Sequence, residues 1–196
     1  MVARIPAHGF TPMFCLSFSV VLCLFLSACS VPLYKVAPIP KNTSIEAGQT
    51  ATNDRVTVTA SALTEDDKAF ERFDTNLPLA GILVVDIQVV NRSARSIESL
   101  KFELQDATGK SVSYLEPKKA LKAIMKFEGV RMYTIEGRQQ TLEQLQAMAL
   151  PKKLSLGSQE EKRGVLFFHA KQDVAKNKAF TLLIKDGRET IRLPLS

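Results

Sequence analysis

The sequence predicts a mainly β protein, an antiparallel sandwich with two or three short inserted helices, and three observations predict it. Short stretches of alternating apolar and polar residues recur through the middle and the end of the chain, the period of half-buried strands. Turn-forming clusters separate them, among them Asn91-Arg92-Ser93, Asp106-Ala107-Thr108-Gly109 and Asp186-Gly187. The composition, 45% hydrophobic and 23% charged over 196 residues, suits one sizeable core and excludes general disorder, collagen and a multi-span membrane protein.

Taken in order, the first element is a leader. Met13 to Leu26 is an uncharged, mostly apolar run of 14 residues with Arg4 upstream and Ser27-Ala28 behind it. A spanning helix needs ~20 apolar residues, so the run fits a removable signal segment, residues 1–28. Its end, Leu26-Ser27-Ala28-Cys29, resembles the lipobox of bacterial lipoproteins. That resemblance implies cleavage before Cys29, a diacylglyceryl group on its thiol and, usually, an acylated new amino terminus. Acyl chains at ~0.8 kcal/mol per buried methylene make such an attachment effectively permanent. Ser30 stands where inner-membrane retention in enterobacteria is associated with aspartate, so the resemblance implies an outer membrane facing the periplasm in a diderm organism.

From the lipidated cysteine to Asn53 the chain carries Pro32, Pro38 and Pro40 and no sustained period of 2 or 3.6. It reads as a flexible tether spanning roughly 25–30 Å, with Val31 to Ile39 docking as an edge strand as the alternative. The globular domain is expected over residues 54–196.

In that domain Arg55 to Ala62 alternates through Val56, Val58 and Ala60. Gly81 to Asn91 places Leu83, Val85, Ile87 and Val89 on a core face, with Asp86 and Gln88 opposite. Ser99 to Gln105 continues the pattern through Leu100, Phe102 and Leu104, and the next turn leads to Val112 and Tyr114. Gly164 to Ala170, Ala179 to Lys185 and Glu189 to Leu195 are three further strands. Thr64 is placed to cap a short helix through Glu65-Asp66-Asp67, with Phe70 and Phe73 on one side. Pro117 to Phe127 begins with a helix-starting proline and sets Ala120, Leu121, Ile124, Met125 and Phe127 against Lys118, Lys119, Lys122 and Lys126. Arg138 to Leu150 is a third helix, with Leu142, Leu145 and Met148 inward and Pro151 stopping it.

The order Phe73, Asn76-Leu77, Gly81-Ile82 and a strand closed by Asn91-x-Ser93 resembles small bacterial envelope lipoproteins with an immunoglobulin-like domain of unassigned function. The resemblance covers Val56 to Leu104 and implies an immunoglobulin-like sandwich. In it Gly81 frees the backbone at the start of the strand and Asn91 turns the chain.

Counting residue types narrows the chemistry. With the leader removed, Cys29 is consumed by lipid and His169 is the single histidine, so no thiol nucleophile, disulfide or thiolate metal site is expected. His169 shares a strand face with Val165 and Phe167, a structural setting. No Gly-x-Ser-x-Gly, Walker or Rossmann pattern occurs. Glu65-Asp66-Asp67 suits a helix start better than a calcium loop. A net charge of +6, one unit lower without Arg4, and no interleaved aromatic and basic residues exclude nucleic acid as a partner. The expectation is therefore a lipid-anchored envelope protein acting by binding or assembly, with no catalysis, cofactor or metal. A carboxylate-dependent envelope hydrolase is the competing class. Lys119, Lys122 and Lys126 are expected on one helix flank with Lys118 close by, placed to meet anionic headgroups or an acidic envelope protein.

Overall fold

The computed structural model describes residues 31–39, 45, 48–170, 179–187 and 189–195; the leader and Cys29 lie outside them. Among the described residues the architecture is mainly antiparallel β with three short helices. The strands are β1 (Gln49–Thr52), β2 (Val56–Leu63), β3 (Ile82–Asn91), β4 (Ile97–Gln105), β5 (Ser111–Leu115), β6 (Lys153–Leu156), β7 (Glu161–His169), β8 (Phe180–Lys185) and β9 (Thr190–Leu195). The helices are α1 (Asp66–Phe73), α2 (Pro117–Phe127) and α3 (Ile135–Met148). The strands follow the order β1-β2-β3-β7-β5-β4-β8-β9, with β6 also on β4.

The sheet curls into a nearly closed barrel. Its bend lies at β5, where Ser111 and Val112 pair with β4 and Ser113 to Leu115 pair with β7. Its two ends meet at a seam, with β9 against β1 and β2 without a ladder between them. Asn53 Nδ2 donates to Glu189 at 3.1 Å and Arg55 pairs with Asp186 at 3.5 Å across this seam.

Two hydrophobic cores lie on opposite faces of β3 and β7. The inner core joins Val58, Leu83, Val85, Ile87, Val89, Leu166 and Phe168 to Phe102, Leu104, Leu182, Ile184 and Leu193 across the curled sheet. The outer core places Ile82, Val84, Val165 and Phe167 beneath Phe73 of α1, Ala120, Leu121, Ile124 and Met125 of α2, and Leu145 and Met148 of α3. Burial on both faces explains why these strands contain continuous apolar runs, Ile82 to Val85 and Val165 to Phe168. The face expected to be polar is thus polar only beyond Val84. There Asp86 accepts two hydrogen bonds of 2.7 Å from Arg72, and Gln88 donates to Glu161 at 2.6 Å.

Several expectations are corrected by packing. The stretch read as a free tether up to Asn53 is held at several of its described residues. Tyr34 and Val36 are buried in the outer core, Ile45 is buried, and Gln49–Thr52 is a strand. The segment expected as an edge strand, Val31 to Ile39, forms no strand; from Leu33 to Val36 it lies along α3. Leu33 N donates to Gly137 O at 3.1 Å, Tyr34 N to Thr141 Oγ1 at 3.1 Å and Val36 N to Gln144 Oε1 at 3.2 Å. Spacings of four and three put those three acceptors on one stripe of the helix, which serves the strap much as a neighbouring strand would. Glu65, not Thr64, stands at the α1 N-cap, and it makes no side-chain cap bond; Thr64 is buried. Phe70 turns out to solvent while Phe73 packs on Phe167 with centroids 6.2 Å apart. β1 lacked an apolar period because three of its four residues are exposed; Thr50 to Thr59 and Thr52 to Thr57 side-chain bonds of 2.9 and 3.1 Å help hold it. β6 has only Leu154 and Leu156 to declare itself.

Gly81 meets the expectation: its φ is +72°, and a Cβ there would sit 2.7 Å from Ala170 O.

Candidate functional site

The most distinctive surface lies where α2 and α3 meet. Pro117 occupies the first turn of α2, where a missing N–H costs nothing, and the helix buries Ala120, Leu121, Ile124 and Met125. It ends in a Schellman turn. Gly129, at φ +69°, donates to Lys126 O at 3.3 Å, and Val130 N reaches Met125 O at 2.8 Å. Thr134 then caps α3 by accepting Gly137 N at 3.1 Å. This cap starts the helix at Ile135, three residues before the expected Arg138, and it ends at Met148, two before Leu150.

Between the two helices runs a groove of about 930 Å³. Its apolar lining is Leu121, Met125, Val130, Ile135 and Leu142; its basic lining is Lys118, Lys122, Lys126, Arg131 and Arg138. No aspartate or glutamate lines it, and none of the five cations forms an ion pair among the described residues. Steps of four keep Lys118, Lys122 and Lys126 on one stripe of α2. Lys119, expected beside them, is not among the groove's lining residues and pairs with Glu116 at 3.7 Å. Arg131 and Arg138 were not legible as partners of these lysines, because they come from the connecting loop and the other helix.

Where the two helices are joined, the groove's end exposes apolar side chains. Met132 is 90% and Ile135 80% accessible, and Phe127, expected inward, is half exposed. The amino-terminal strap arrives at this same end: Tyr133 Oη donates to Pro32 O at 3.5 Å, one residue before the Leu33 bond to α3.

Tyr34 anchors the strap. It is buried, and its hydroxyl has no hydrogen-bond partner among the described residues. Burial first, then the charges of Glu128 and Asp74, push the phenol up to about 12. A phenol that holds its proton longer folded than unfolded contributes nothing below pH 10. Between pH 10 and 12 it lowers stability, by roughly 2–3 kcal/mol in full. Tyr34→Phe is therefore expected to match or exceed the parent in urea unfolding at pH 7 and to lose less stability by pH 12. Tyr114, also raised by burial and then by Glu116, keeps its own share in both proteins. Identical alkaline losses would contradict the assignment.

The other candidates do not converge. His169 is exposed at the end of β7, and Lys68 pairs with Glu65 at 3.0 Å beside Asp66 and Asp67. Among the described residues no three His, Cys, Asp or Glu side chains come together as metal ligands, and no helix there is long and apolar enough to cross a membrane.

No protein-family profile and no curated protein matches the chain. Among solved structures it is similar to a conserved hypothetical protein from Bacillus anthracis, 11% identical over 74% of this chain and 92% of that one, with a TM-score of 0.36.

Proposed function

We propose that this is a lipid-anchored cell-envelope protein acting without catalysis, as a binding or assembly module on an immunoglobulin-like sandwich. The observation that carries the reading is Leu26-Ser27-Ala28-Cys29 closing a 14-residue apolar run. A thiol at that place is the nucleophile a thioether-linked lipid needs, and the run is too short to span. The sandwich reading is supported by the two opposed apolar faces of the inner core and by the β3 to β4 connection, which joins strands that do not pair with each other. The binding reading is supported by a groove rich in unpaired cations and bare of carboxylates.

Cys29→Ser should abolish lipid attachment and leave the precursor unprocessed. Metabolic labelling with a radioactive or clickable fatty acid, followed by gel mobility, measures both. Label retained on the Cys29→Ser protein would remove the basis for the reading.

A further inference from the structure

We infer that the α2–α3 tip is the surface this protein presents to the bilayer: Met132 and Ile135 enter the interface while the five groove cations bind anionic phospholipid headgroups of the leaflet that holds the Cys29 lipid. The inference rests on the lipidation proposed above and adds to it an orientation and a ligand.

Chain length carries the argument. Only Ser30 and Val31 separate Cys29 from Pro32, and at ~3.6 Å per residue any conformation of that link keeps Cys29 within about 11 Å of Pro32. Pro32 is not free to swing. Its carbonyl lies against Tyr133, and the next residue is bonded to Gly137 in the first turn of α3. A lipid on Cys29 therefore brings the start of α3 to the membrane, instead of letting the domain range over the 25–30 Å that a free tether would allow.

What the leash brings down is chemically suited to an interface. Met132 and Ile135 are the two most exposed large apolar side chains of the described residues, and they flank Tyr133, a residue type that favours the headgroup level. Behind them stand five cations without an acidic partner. The Debye length at physiological salt is about 8 Å, comparable to the leash, so these charges act within range of the headgroups. An acidic protein would satisfy the cations equally, but it would not explain why the apolar tip and the membrane anchor coincide.

The test uses the mature protein purified from membranes and reconstituted in vesicles. Cys29 being the single cysteine after leader removal, Met132→Cys offers one thiol for an environment-sensitive fluorophore, and the exposure of Met132 makes the change harmless to the fold. Lys153→Cys, exposed beyond the far end of α3, is the control. In phosphatidylglycerol/phosphatidylethanolamine vesicles the label at 132 should shift to the blue and brighten, and the label at 153 should stay water-like. Adding Lys122→Glu, Lys126→Glu and Arg131→Glu, or raising the salt, should reverse the shift. A water-like label at 132 on a protein whose mass includes the lipid would overturn the orientation. A shift equal in phosphatidylcholine and untouched by the charge reversals would overturn the headgroup assignment. A label silent on vesicles but shielded in intact envelopes would assign the tip to a protein partner and overturn the bilayer contact. The mass of the purified protein reports separately on Cys29: a mass without the lipid would sink the anchor, and with it the orientation argued from the leash, whatever the label reads.

Discussion

Ile87→Asp is expected to abolish cooperative unfolding, because most of the chain will no longer fold. Ile87 is fully buried in the inner core, in a strand covered on both faces. The substitution removes roughly 1.5–3 kcal/mol of apolar burial and places a carboxylate among hydrocarbon side chains, at a further cost of several kcal/mol. Against a typical net stability of about 5–15 kcal/mol, the sum is decisive. Asp86, one residue away, faces the other side, and Asp86→Ala separates face from position. It leaves Arg72 without its two 2.7 Å bonds, at a cost of about 2 kcal/mol, which lowers the melting temperature by roughly 4–8 °C. Calorimetry of the two variants checks this. Similar melting temperatures for both would mean that the faces of β3 are misassigned.

The second large effect is expected at Asn91. Its side chain is fully buried, and Nδ2 donates to Arg95 O at 2.8 Å and to Gly157 O at 2.7 Å. Oδ1 accepts from Ser93 N at 3.0 Å and Ser93 Oγ at 2.7 Å. One amide thus ties the crossing from β3 to β4 to the loop between β6 and β7. Asn91→Asp keeps the shape and the acceptor but turns the donor into an oxygen facing two carbonyls. The loss should be about 3–5 kcal/mol at pH 7, from two missing bonds and a buried charge. The new carboxyl is easier to protonate folded than unfolded, so the deficit should shrink as the pH falls and one donor returns. Denaturant unfolding at pH 7 and pH 5 measures both; a deficit that grew on acidification would contradict this role for Nδ2.

Asn91 marks how far the sequence could be read. An Asn-x-Ser cluster after an alternating strand announces a turn, because asparagine bonds its own following backbone, and the bonds from Ser93 are that local part. The bond to Gly157, 66 residues away, has no local signature. The helices divide in the same way. Pro117 to Phe127 was legible to the residue, since a proline start and a 3.6 period are properties of neighbours. Phe127 and Phe70 nonetheless ended exposed, because which apolar residues find cover depends on what lies opposite them.

The groove shows the division most plainly. Its lysines were visible in one helical stretch, where nothing local says that Lys119 stays outside the lining, and Arg131, Arg138, Met132 and Ile135 joined only when two helices and their loop met. The strap was misread for the same reason: Tyr34 and Val36 have no period of their own, and their order comes from Gly137, Thr141 and Gln144, more than a hundred residues on. By itself the sequence determined the strand and turn alternation, the core faces of the best strands and the apolar run with the cysteine behind it, because each is set by residues within a few positions of one another. Only the tertiary structure decided the second face of β3 and β7, the docking of the strap and the gathering of cations at the α2–α3 tip, because those depend on burial and bonding between segments that the chain keeps far apart.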